Sequence, residues 1–140
     1  MIRFSSSKLG MMVSFILILM WFCELSSIVG ATNHVRITNQ LSEGMDLTIH
    51  CKSKDNDLGV HQLAYNASFP WSFDDNALYN CHVEWLHGQT DFDAFDASGE
   101  QYRCSDCCWA ARIDALYYVV CETGESNTWN KWTPRRTLSR

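Results

Sequence analysis

Proline and glycine are scarce, with two and seven residues in a chain of 140. That excludes collagen-like and linker-like classes. Positive charge is also short, with 11 basic against 16 acidic side chains and a formal net charge of −5. Such a balance argues against nonspecific binding to nucleic acid or anionic membranes, which both require a basic footprint. No GxSxG, HExxH or glycine-rich phosphate loop occurs, so the common hydrolase and nucleotide-binding signatures are missing. Beyond residue 31 there is no apolar stretch of spanning length, no internal repeat and no low-complexity tract. Nor does that region hold a helical period over two or more turns.

The amino terminus is a different kind of segment. Arg3 and Lys8 precede a run from Met11 to Cys23 that is apolar except at Ser14, and Glu24 ends it. Thirteen residues are too few to span a bilayer, which takes about 20. A short stretch of mostly small residues, Leu25 to Ala31, follows. This is the layout of a secretory signal peptide, with cleavage expected after Ala31, or after Gly30, and Val29 and Ala31 at the −3 and −1 positions. Removal of residues 1–31 would leave 109 residues with nine basic and 15 acidic side chains, a balance of −6. The expected organisation is a leader (1–31), one domain (32–132) and a short basic tail (133–140).

Six cysteines remain after that cut: Cys51, Cys81, Cys104, Cys107, Cys108 and Cys121. An even number in a secreted chain implies disulfides, and the 15 possible pairings stay open at this level. Structural bridges are preferred to a zinc or redox reading of Cys104-x-x-Cys107, because the compartment is oxidising and Cys108 adjoins the motif. Adjacent residues on a strand point to opposite faces, so Cys107 and Cys108 are expected to serve different sides.

Elsewhere the dominant pattern has period two. His34 to Asn39, Met45 to Cys51 and Leu78 to Leu86 alternate apolar and polar, as half-buried strands do. Val60–Tyr65, Phe69–Phe73, Cys107–Ile113 and Leu116–Cys121 read as further strands, and turn residues separate them. The segment from Thr123 to Arg140 reads as a loose end. Together these indicate an all-β fold, a small disulfide-stabilised antiparallel β-sandwich of about six to eight strands.

Candidate chemistry is sparse. His50, His61 and His82 could support acid–base catalysis in a secreted nuclease, but no motif joins them, and His50 and His82 fall on outward positions. Asp91, Asp93 and Asp96 lack the glycine and distal glutamate of a calcium loop and read as a solvated edge. Trp71, Trp85 and Trp109 could line a sugar or lipid site, although aromatics of a sandwich are expected in the core. Asn66-Ala67-Ser68 is an N-glycosylation sequon, which in a secreted chain demands exposure of Asn66. Neither a metal nor a cofactor is expected.

Several longer blocks carry a resemblance. Val35-Arg36-Ile37-Thr38-Asn39-Gln40-Leu41 leads to His50-Cys51-x-Ser53-Lys54-Asp55-x-Asp57-Leu58-Gly59-x-His61. Trp71-Ser72-Phe73, Cys81 with Trp85, Arg103-Cys104-x-x-Cys107-x-Trp109, Asp114 and Tyr117 follow in order. This pattern resembles the plant self-incompatibility protein family, the S-protein homologues related to the poppy stigma determinant. The resemblance implies a secreted β-sandwich with four typical cysteines, which map to Cys51, Cys81, Cys104 and Cys107. It also implies a protein ligand that meets a plasma-membrane receptor in cell–cell signalling. Cys108 and Cys121 are additions to the family pattern, and their even count suggests a bridge between them. Ala115 stands where the family often has glycine, so the turn after Asp114 is expected to have another geometry. Recognition is expected on loops, at Asp74–Asn76, Gly88–Asp91 and Asp96–Gln101. A secreted hydrolase and a membrane-damaging defence protein are the alternative functions, the latter disfavoured by the negative charge.

Overall fold

A computed structural model describes residues 10, 13–14, 16–18, 32–74, 76–98 and 104–135. The chain divides into two compact units, Met1–Ala31 and Thr32–Arg140. The described residues of the first are helical. Among the described residues, no helix is long and apolar enough to cross a membrane.

The described residues of the second unit form nine strands: β1 (Asn33–Gln40), β2 (Leu47–Lys52), β3 (Asp57–Leu63), β4 (Ser68–Phe73), β5 (Leu78–Trp85), β6 (Gly88–Asp96), β7 (Asp106–Arg112), β8 (Ala115–Val119) and β9 (Ser126–Lys131). They form a five-stranded sheet in the order β4-β1-β7-β8-β9 and a four-stranded sheet in the order β3-β2-β5-β6. The all-β sandwich expected from the alternating patterns is the fold observed.

Two details go beyond that expectation. One neighbouring pair, β1 with β7, is parallel, while the rest are antiparallel. The reason is parity. A chain that reverses at every connection makes odd and even strands antiparallel, and β1 and β7 are both odd. The second detail is β9. The segment from Thr123, expected to be loose, pairs with β8 and is tied further on through reciprocal backbone hydrogen bonds between Gln89 and Thr133. Its apolar anchors, Trp129 and Trp132, pack against the core and supply the burial that its polar strand residues lack.

The core lies between the sheets. On β2 Leu47, Ile49 and Cys51 are buried while Thr48, His50 and Lys52 face out, which is the alternation of a strand packed on one face. Val35 and Ile37 of β1 and Cys107, Trp109 and Ala111 of β7 meet them from the other sheet. Each fully buried Ile or Leu contributes about 1.5–3 kcal/mol by leaving water. Aromatic contacts stitch the layers at intervals: His61 on Phe69 at 4.2 Å, Phe73 on Tyr79 at 4.7 Å and Phe92 on Trp109 at 4.7 Å between centroids. Trp85 and Trp109 are buried and Trp71 is half-buried against the same cluster, so all three tryptophans serve the core.

Candidate recognition face and cysteine sites

The outer side of the four-stranded sheet collects two of the candidate histidines and two of the candidate aspartates. Alternation sends Thr48, His50 and Lys52 of β2, Asn80, His82 and Glu84 of β5, and Asp91 and Asp93 of β6 to this side. Antiparallel register then makes His50 the direct partner of His82, and His82 the direct partner of Asp91. Directly opposed side chains have Cβ atoms about 5 Å apart. The two histidines, 32 positions apart in the chain, are therefore neighbours.

Each is held by a carboxylate. His50 Nε2 lies 2.7 Å from Asp57 Oδ1, and His82 Nδ1 lies 2.8 Å from Asp91 Oδ1. The backbone N–H of Gly59 also donates to Asp57 Oδ1, at 2.8 Å, and Gly59 reaches the required turn with φ +80°, where a side chain would be strained. Those two donors, the Gly59 amide first and His50 second, hold the Asp57 carboxyl below its usual value. Further along, Asn80 donates to Asp93 Oδ1 at 3.0 Å and Asn130 of β9 donates to the Asp91 carbonyl at 3.0 Å. Glu84 sits 3.7 Å from His82 Nε2 and 4.0 Å from Arg135. At one end the face dips into a recess of about 310 Å³ bordered by Met45, Gln62, Glu84, Leu86 and Arg135.

The remaining histidines lie apart. His61 points inward, stacks on Phe69 and bonds through Nε2 to the Leu58 carbonyl at 2.7 Å. It therefore cannot join His50 and His82 in one site. His34 meets Ser72 Oγ at 2.7 Å on the opposite sheet, and His87 packs edge-on to Trp85. Asp91, Asp93 and Asp96 do not converge: they bond to His82, Asn80 and Ser98 in turn along β6. No group of His, Cys, Asp or Glu among the described residues is gathered to hold a metal ion.

Three disulfides are present among the described residues. Cys51 and Cys81 are register partners on β2 and β5 with both side chains in the core, so their bridge crosses neighbouring strands. Cys104 bonds to Cys107, and Cys108 bonds to Cys121. Cys107 faces the core beside Val35, while Cys108 pairs with Arg36 on the outer side of the five-stranded sheet. The second of these bridges fastens the β8–β9 turn to β7.

Of the three expected recognition loops, Gly88–Asp91 is not a loop. The β5–β6 turn is only Leu86 and His87, and pairing resumes at Gly88 opposite Trp85. Asp74 and Asn76 lie in the β4–β5 connection, whereas Asp75 and residues 99–101 lie outside the described residues. At the β7–β8 turn none of Ile113, Asp114 and Ala115 takes a positive φ, in keeping with the side chain at position 115. Asn66 is exposed, with φ +67°.

Residue identity alone did not reveal Asn39, which is fully buried. Its side chain donates to the carbonyls of Met45 at 2.7 Å and Leu63 at 2.9 Å and accepts from the Leu41 amide at 2.9 Å. A signal was available: Asn39 shares the parity of Val35 and Ile37, the buried side of β1.

Residues 34–132 match the family profile described as plant self-incompatibility protein S1. The chain belongs to this family. S-protein homolog 29 of Arabidopsis thaliana is 33% identical over 131 residues, covering 88% of this chain and 91% of that one. S-protein homolog 1 of the same plant is 34% identical over 105 residues, 70% of each chain. A solved self-incompatibility protein homologue superposes with a TM-score of 0.62 at 23% identity, covering 75% of this chain and 97% of its own. That homologue is described as one of a widespread family of small, highly stable, secreted proteins from plants. Within this self-incompatibility S1 chain, the matched region covers the nine strands from the second residue of β1 onward and includes all six sandwich cysteines.

Proposed function

We propose that this self-incompatibility S1 family member is a secreted extracellular protein ligand that acts in cell–cell signalling by binding a plasma-membrane receptor. Residues 1–31 act as its signal peptide and are removed, and Asn66 carries an N-glycan. Secretion is supported by the basic start, the short apolar run and the small residues before Thr32. The described character of the solved homologue points the same way.

One observation carries the ligand reading: the polar side chains on the outer face of the four-stranded sheet are already held in place before any partner arrives. Asp57 braces His50, Asp91 braces His82, and Asp93 braces Asn80. A surface that is ordered in the free protein loses little conformational entropy on docking. The test is binding of labelled, oxidised protein to pollen and other plant cells carrying a calcium reporter. Expected are saturable binding, displacement by unlabelled protein and a calcium rise. Absence of saturable binding on every plant cell type overturns the reading.

A hydrolase is the second reading, favoured by the direct opposition of His50 and His82 with Lys52 on the same side. Electrostatics opposes it for a phosphodiester substrate, because Asp57, Glu84, Asp91 and Asp93 surround the two rings. RNA cleavage that survives repurification and disappears in His50→Ala would establish it.

A further inference from the structure

The Cys108–Cys121 bridge lies at a surface where a sulfur, a cation and an open cleft coincide. Arg36 and Cys108 are register partners on the parallel strands β1 and β7, and both point to the outer side of the five-stranded sheet. Arg36 Nη2 is 3.6 Å from Cys108 Sγ. An open cleft of about 260 Å³ lies over them, bordered by His34, Arg36, Pro70, Asp106, Cys108 and Cys121. Within it Cys121 is partly exposed, whereas Cys108 is buried.

The two sulfurs are therefore not equivalent, and thiol–disulfide exchange depends on just such a difference. The reachable sulfur is the one attacked, and the sulfur better stabilised as an anion is the one that leaves. A neighbouring guanidinium stabilises a thiolate. We infer that Cys121 is a site of covalent modification by a small anionic thiol. In that step the incoming thiolate forms a bond to Cys121 Sγ, the Cys108–Cys121 bond breaks, and its electron pair stays on Cys108 as a thiolate facing Arg36. The product is a mixed disulfide at Cys121, with no net change in oxidation state. Arg36 and His34 at the cleft favour a thiol carrying carboxylates, of the glutathione type, against the single opposing charge of Asp106. What sets this bridge apart is the guanidinium. Cys51 and Cys81 are both fully buried in the core, and Cys107, which borders the same cleft and is bonded to the partly exposed Cys104, has the Cys104 carbonyl against its sulfur and not Arg36.

Exchange would release the β8–β9 turn from β7, because that bridge is the covalent tie between them. The turn would then keep its internal bonds, Val120 N–H to the Glu125 carbonyl and Gly124 N–H to the Val120 carbonyl, each 2.8 Å, and Glu125 N–H to Thr123 Oγ1 at 3.3 Å. This site is separate from the outer face of the four-stranded sheet and does not depend on a receptor.

The experiment treats the oxidised protein with graded reduced glutathione, quenches with an alkylating reagent and maps every cysteine by mass spectrometry. The expected result is a glutathione adduct on Cys121 and alkyl label on Cys108, at a rate at least about tenfold above opening of the other two bridges. Arg36→Gln should slow that step by about 3- to 10-fold with glutathione and less with uncharged 2-mercaptoethanol, and Arg36→Lys should restore part of the rate. Opening of Cys104–Cys107 or Cys51–Cys81 first, or an adduct on Cys108 in place of Cys121, overturns the assignment. The order of opening in the unaltered protein decides this even if a variant fails to fold.

Discussion

Asn39 on β1 donates a hydrogen bond to the Leu63 carbonyl at the end of β3, 2.9 Å away in the other sheet. The same amide group donates to Met45 and its oxygen accepts from Leu41, so one fully buried side chain satisfies three backbone groups. It secures the crossing from β1 into β2 while linking the two layers.

Replacing Asn39 by Ala should therefore cost about 3 kcal/mol, since two carbonyls and one amide would each lose a hydrogen bond, those of Leu63 and Leu41 in buried surroundings. Urea unfolding followed by tryptophan fluorescence gives the value. Asn39→Asp should also destabilise, because a carboxylate cannot donate to the carbonyls of Met45 and Leu63. A loss under about 0.5 kcal/mol for Asn39→Ala would show that water or neighbouring groups replace these bonds.

Gly88 is required by close approach. A Cβ there would stand 2.6 Å from Trp132 Cβ and 3.0 Å from Trp132 Cγ. Gly88→Ala should push Trp132 off Trp85, with which it now makes an edge contact at 6.1 Å, at a cost of about 1–3 kcal/mol. Combined with Trp132→Ala the two changes should be clearly non-additive, because the second removes the obstacle met by the first. A double-mutant cycle in urea measures this.

Removing the core bridge by Cys51→Ser with Cys81→Ser should cost about 3–4 kcal/mol. Its 30-residue span constrains the unfolded chain, and the bridge links neighbouring strands at the centre of the sandwich. Calorimetry of the variant against the oxidised parent is the measurement. Intact-mass analysis should show the other two bridges retained.

The Asp57 carboxyl should titrate below 3.8, its ordinary value. A folded-state value lower than the unfolded one means that its stabilisation is present above the unfolded value and is lost as pH falls through the folded one. The loss therefore lies on the acid side of pH 3.8 and is small, because the group is exposed. Carboxyl NMR titration should show His50→Ala raising the value only part of the way, since the Gly59 amide is the larger cause.

Much of this architecture was legible residue by residue. Side chains alternate along a strand, so the patterns at Met45–Cys51 and Leu78–Leu86 announced β2 and β5 and which of their faces is buried. The specific block around His50-Cys51, with Cys81, Cys104 and Cys107 further along, carries the family resemblance in the sequence itself. Cys107 and Cys108 were assigned opposite sides by adjacency alone. The polar strand β9 escaped, because Ser126–Lys131 has no apolar alternation and depends on Trp129 and Trp132 packing beside it.

Local chemistry thus dictated strand identity, face and secretion-type layout, since each depends on residues within a few positions of one another. Pairing depends on which strands must lie together to cover both inner faces, and no short stretch of sequence encodes that. It brought His82 beside His50 and Arg36 beside Cys108, 72 positions away, and separated His61 from the other histidines by turning it into the core. The parallel β1–β7 contact has the same origin: only the closed sandwich, with both sheets sharing one apolar interior, makes those two strands neighbours.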